Sequence, residues 1–237
     1  MNALITPAQI TGLVAVQSAH AGEAWRRQSG AAAYRLLTGC DVETARIDQG
    51  RAFDRHVFAC LLAVAISEGG VVGDRIGLAD DDLADVMERW FPQAVDVIER
   101  TRPTEAAPDD DEISMVRDLL LANRSTEGED GRWLAFMIAR RALEANHLWE
   151  DLGLRDRSEL TRLIARHFAP LSARNLKNMR WKRFFYRMLC ESDGFVMCST
   201  PVCTNCCDFD LCFGEESGES RLANVRRALA LGEAVVS

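Results

Sequence analysis

The segment that most constrains this chain runs Cys198-Ser-Thr-Pro-Val-Cys203-Thr-Asn-Cys206-Cys207-Asp-Phe-Asp-Leu-Cys212, and it holds five of the chain's eight cysteines. Taken as Cys198, Cys203, Cys206 and Cys212, the spacing is C-x4-C-x2-C-x5-C, with Cys207 left over. Thiolates this close repel one another unless a cation lies between them, and a bound metal both deprotonates the thiols and neutralises them. Pro201 favours a turn inside the first interval and Gly214 loosens the chain beyond the last cysteine. The segment therefore reads as an irregular loop wrapped around a metal, and the rest of the chain as the scaffold that carries it.

Spacing narrows the choice of metal without closing it. Structural zinc sites pair two separated C-x2-C or H-x3-H units, whereas this run has a single C-x2-C and no histidine follows residue 168. C-x4-C-x2-C matches plant-type two-iron clusters, although their fourth cysteine lies much farther along. Soft thiolate donors suit iron–sulfur clusters, zinc and copper(I) alike. The spacing favours metal over disulfide, and iron–sulfur over zinc.

Surrounding sequence is that of an ordinary globular protein, 48% apolar and 27% charged over 237 residues, enough to bury a sizeable core. The N-terminal Met-Asn-Ala-Leu-Ile-Thr-Pro has no positive charge ahead of its apolar residues, so no secretory signal is expected. The longest apolar run, Val57 to Ile66, is too short to span a bilayer. These features predict a cytoplasmic protein without membrane association, in a compartment that keeps thiols reduced.

A net charge of −8 argues against bulk nucleic-acid binding. Yet residues 172–190 carry Arg174, Lys177, Arg180, Lys182, Arg183 and Arg187 and no acid, while residues 191–220 carry seven acids and no base. The sign reverses at the cysteine run. Such a basic stretch is either a solvated face or a surface that handles an anion or an acidic partner.

Periodicity predicts an all-α fold, a multi-helix domain with the cysteine-rich metal-binding loop near its C-terminus. Helices are expected at Pro7–Arg27, 31–38, Arg51–Glu68, Asp80–Trp90, Gln93–Arg100, Glu112–Arg124, Arg132–Trp149, Ser158–Phe168, Asn175–Cys190 and Arg221–Leu231. Ser158 is expected to cap the helix that it opens, and Pro170 to close it. In Arg51–Glu68 the residues Phe53, Val57, Cys60, Leu61, Val64 and Ala65 share one face, and Gly69-Gly70 stops the helix. Cys60 is read as a small core residue, and Cys40 lies in a turn without an identifiable partner. Arg102–Asp111, rich in proline and acids, reads as an exposed loop. His147 is read as a helix-end or core histidine. Two regions are anticipated: a helical part over 1–170, then a basic helix, cysteine loop and terminal helix over 171–237, packed as one unit with the first. No phosphate-binding glycine loop, H-E-x-x-H or nucleophile elbow is present, so enzymatic turnover is not expected.

Three stretches carry a family likeness: Asn146-His-Leu-Trp-Glu-Asp-Leu-Gly-Leu154, Met179-Arg-Trp-Lys-Arg-Phe-Phe-Tyr186, and the cysteine run ending Asp208-Phe-Asp-Leu-Cys-Phe-Gly214. On these the chain resembles the NifQ family, densely from Asn146 to Gly214 and more loosely upstream. The resemblance implies a role in building the iron–molybdenum cofactor of nitrogenase. It implies an iron–sulfur cluster of the 3Fe–4S or 4Fe–4S type that holds molybdenum and passes it to the NifEN and NifH assembly proteins, with molybdate as the source. By position the implied ligands are Cys198, Cys203, Cys206 and Cys212, with adjacent Cys207 as an alternative to Cys206. Two rival readings remain. One is a zinc-stabilised helical module that binds nucleic acid through residues 174–187, and the other is a simple iron–sulfur electron carrier.

Overall fold

Residues 30–97 and 110–192 are described by the computed structural model, and all regular structure among them is helical. The chain divides into two units. The first takes described residues 30–97 with 152–155, the second 110–151 with 156–192. The expected helices at Pro7–Arg27 and Arg221–Leu231, and the cysteine run itself, lie outside the described residues.

In the first unit, residues 30–38 form α1, followed by α2 (Gly50–Glu68), α3 (Val72–Ile76) and α4 (Asp80–Trp90). The apolar face expected of α2 is buried except at half-buried Val64, but burial extends well beyond that face, to Asp54, His56, Phe58, Ala59, Leu62 and Ala63. Periodicity marked an amphipathic helix; the structure makes it the central one. Gly69 ends α2 at φ 73°, a conformation that favours glycine, as the Gly69-Gly70 pair predicted.

Helix α4 opens with Asp80, Asp81 and Asp82, whose charges complement the positive end of the helix dipole. Its closing Trp90 stacks on Phe58 of α2 at 5.4 Å between ring centroids. Arg55 then ties two helix ends together. Its Nε donates to the Trp90 carbonyl at 3.2 Å and its Nη2 to the Leu37 carbonyl at 3.0 Å. Both acceptors are C-terminal carbonyls that have no partner inside their own helix, so one buried-stem cation serves the negative ends of α1 and α4. Where the α-helix expected over Gln93–Arg100 would begin, a 3-10 turn spans Pro92–Val97 and is kinked at Ala94, and residues 98–100 lie outside the described residues. The reason is a long-range contact: Gln93 donates its side-chain amide to the Leu37 carbonyl at 2.8 Å, and buried Ala94 leaves helical geometry.

The second unit contains α5 (Asp111–Ala122), α6 (Glu129–Ala142), α7 (Leu148–Asp151), α8 (Arg157–His167), α9 (Ala169–Arg174) and α10 (Trp181–Ser192). Helices α5 and α6 pack as a pair, and α10 lies against α5. Three expectations need correction here. The helix predicted over Arg132–Trp149 breaks after Ala142, because buried Arg141 turns back to donate to the Asp151 carbonyl at 2.8 Å and Glu150 caps the His147 amide at the start of α7. Ser158 is not the cap of α8. Asp156 is, accepting from the Ser158 and Glu159 amides at 2.7 and 3.2 Å. Pro170 does not simply close α8 either, since it occupies the first turn of α9, where its missing N–H has no consequence.

The largest departure concerns the basic helix. It was expected to start at Asn175 but begins at Trp181, and residues 175–180 form a non-helical connection. Asn175 causes the delay. Its side chain holds both backbone groups of Met179, accepting from the amide at 2.8 Å and donating to the carbonyl at 2.9 Å. Asparagine competes for backbone groups in this way whenever a turn is available.

Candidate functional site

Cys198, Cys203, Cys206 and Cys212, together with Cys207, lie outside the described residues. What the structure does place is the helix that leads into them. Helix α10 ends at Ser192, six residues before Cys198. Trp181, Phe184, Phe185 and Met188 are buried along it, and Leu189 is half-buried. Trp181 meets Phe184 edge-on at 5.7 Å between centroids and lies 6.0 Å from Phe185. The indole Nε1 of Trp181 is buried with no hydrogen-bond partner among the described residues, leaving an open donor at the foot of the helix.

The opposite side is not a uniform sheet of free cations. Lys182 reaches Asp151 Oδ2 at 2.6 Å and also donates to the Glu144 carbonyl. Arg180 is buried. Arg187 pairs with Glu191 one turn on, at 2.9 Å, and Arg174 approaches the same carboxylate at 3.9 Å. Lys177 and Arg183 have no ion-pair partner among the described residues. Sequence charge counting overestimated the free positive surface because it could not see which carboxylates fold back onto it.

Tyr186 on the same helix donates to the Glu112 carboxylate of α5. Burial first, and then the bond to Glu112 and its charge, push the phenol well above its usual range. His147 sits half-buried at the entrance to α7, in keeping with its reading as a helix-end residue. Cys190 is a half-buried free thiol on α10.

In the first unit, Cys60 is buried as expected, with its sulfur 3.6 Å from His56 Nε2. The Tyr34 hydroxyl meets the other ring nitrogen at 2.7 Å. Desolvation by burial raises the Tyr34 phenol above its usual range. Cys40 acquires the partner that the sequence did not disclose: Thr38, whose hydroxyl lies 3.6 Å from its sulfur. Among the described residues, no group of three or more His, Cys, Asp or Glu side chains is placed to hold a metal ion. None of the described helices is long and apolar enough to cross a membrane.

With the scaffold in view, comparison with known proteins decides the family. The NifQ family model matches residues 57–214, most of the chain and all of the cysteine run. The chain belongs to the NifQ family. A protein NifQ homolog from Sinorhizobium fredii is 42% identical over 175 residues, covering 71% of this chain and 75% of the relative. Protein NifQ of Rhodobacter capsulatus is 41% identical over 149 residues, covering 62% and 80%. Protein NifQ of Azotobacter vinelandii is 44% identical over 106 residues, covering 45% and 54%. No solved structure matches. Membership makes this NifQ-family chain a nitrogen-fixation-related protein and implies an involvement with molybdenum.

Proposed function

We propose that the chain is an iron–sulfur protein that carries molybdenum and donates it for assembly of the iron–molybdenum cofactor of nitrogenase. The observation that carries this reading is the position of the four-thiol pattern inside the span matched by the family model. The chemistry of the donor set fits the group: four soft thiol donors fall within fifteen residues, and no histidine follows them. Cys198, Cys203, Cys206 and Cys212 would hold it. When bound, an iron–sulfur cluster offers bridging sulfides to a thiophilic heterometal.

The cargo sets the remaining requirements. A donor must hold molybdenum tightly enough to collect it and loosely enough to release it, which describes a carrier rather than a catalyst. Molybdate arrives as a dianion, and Arg183, which has no ion-pair partner among the described residues, is available to attract it. NifEN and NifH are the recipients this reading names.

Metal and acid-labile sulfide analysis of protein purified without oxygen, with electron paramagnetic resonance before and after molybdate, tests the proposal. Iron, sulfide and retained molybdenum in the native chain are expected, all lost when the four cysteines become serine. A cluster signal untouched by molybdate, with no molybdenum retained, sinks it. Zinc in place of iron would sink it equally.

A further inference from the structure

We propose that the loop between α9 and α10 is a docking knob for a protein partner whose surface offers an apolar socket rimmed by carboxylates. Leu176, at the tip of this loop, is 90% exposed, the most open of the large apolar side chains among the described residues. A lone surface leucine is ordinary. What sets this one apart is how firmly the chain holds it out.

The feet of the loop are clasped twice. Asn175 binds both backbone groups of Met179 through its carboxamide, and its own carbonyl accepts from the Asn178 amide at 3.0 Å. Arg157, from α8, donates to the Asn178 carbonyl at 2.8 Å, to its side-chain oxygen at 3.1 Å and to the Met179 carbonyl at 3.2 Å. Asn178 takes φ 53°, a left-handed conformation that asparagine tolerates better than most residues. Met179 is buried and anchors the loop from below. The backbone is thus shaped before anything binds, and an apolar side chain held ready loses little freedom on docking.

Charge selects the occupant. Arg174 and Lys177 flank Leu176, both exposed, with Arg174 at 3.9 Å from the Glu191 carboxylate. Lys177 has no ion-pair partner among the described residues. A leucine between two cations matches an apolar recess with acidic edges, where carboxylates steer approach and the leucine fills the pocket. A bilayer fits less well: one leucine and two bases bury too little to anchor, and the chain as a whole carries −8.

The choice of probe rests on the carrier reading, which names NifEN as a recipient. Binding of full-length, anaerobically purified chain to purified NifEN would be measured by biolayer interferometry across a salt series. Leu176→Ser is expected to weaken binding roughly tenfold or more, as loss of a central anchor does. Lys177→Glu should weaken it further at low salt than at high salt. Asn175→Ala, which keeps Leu176 but opens the clasp, is expected to weaken it as well, whereas Met115→Ser, at another exposed large apolar residue of this unit, leaves it unchanged. Unchanged affinity in Leu176→Ser overturns the proposal. So does absence of binding by the native chain, or a Leu176 effect seen only on phosphatidylserine vesicles. Molybdenum content of the same samples separates the two ideas: loading that survives while docking fails leaves the carrier reading standing alone.

Discussion

The ammonium of Lys182 lies 2.6 Å from the Asp151 carboxylate, and Asp151 is only 2% exposed. Asn146 supplies a second donor to the same carboxylate at 3.1 Å, and the Asp151 main chain accepts from Arg141. The first turn of the helix that leads toward the thiols is thereby pinned to the α6–α7 turn by one ion pair whose other carboxylate oxygen accepts from Asn146. Removing one member strands a buried charge. Lys182→Met is expected to lose about 3 kcal/mol, at the low end for a buried pair because Lys182 is partly exposed. Urea unfolding of the single variant and of Lys182→Met/Asp151→Leu checks this, with the double variant recovering part of the loss.

Gly153 belongs to the first unit and presses on α2. A Cβ there would sit 2.5 Å from Val64 Cγ2 and 3.0 Å from the Cys60 carbonyl, at φ 71°. Gly153→Ala should destabilise by about 1–3 kcal/mol through overlap and backbone strain together. Adding Val64→Ala relieves the side-chain overlap but not the strain, so thermal melts should show only partial rescue.

Both tyrosines of the chain, Tyr34 and Tyr186, have phenols raised above the ordinary value of 10.0, each chiefly by burial. The unfolded chain deprotonates near its ordinary value while the folded chain resists. Stability is therefore complete below pH about 10 and falls as pH rises beyond it. Titration followed by near-ultraviolet tyrosinate absorbance should show no native ionisation at the pH where urea-unfolded protein is half ionised. Tyr34→Phe should halve the signal in urea and flatten the loss of stability at high pH.

Adjacent Cys206 and Cys207 compete for one place in the thiol pattern. The C-x4-C-x2-C-x5-C reading expects Cys206→Ser to lose iron and Cys207→Ser to keep it. Iron-to-protein ratios on anaerobically purified variants separate the two, and the reverse result reassigns the ligand.

Much of the helical order was legible in the residues. The C-terminal end of α2 and the opening of α4 follow from the Gly69-Gly70 pair and first-turn carboxylates, which act through neighbouring backbone alone. Expectations failed where a side chain took a backbone group, which apolar periodicity does not register. Asn175 turned the start of a helix into a loop, Arg141 and Glu150 broke α6 from α7, and Gln93 diverted the turn after α4.

By itself the sequence determined the helical class, the thiol pattern and its likeness to a family, because periodicity and spacing are properties of the chain in order. Tertiary structure alone decided which of the six cations near α10 stay unpaired, since Asp151 lies 31 residues before Lys182 in the chain. It also decided that Leu176 stands exposed on a clasped loop. An ion pair or a clasp depends on distances in space, and folding alone sets them.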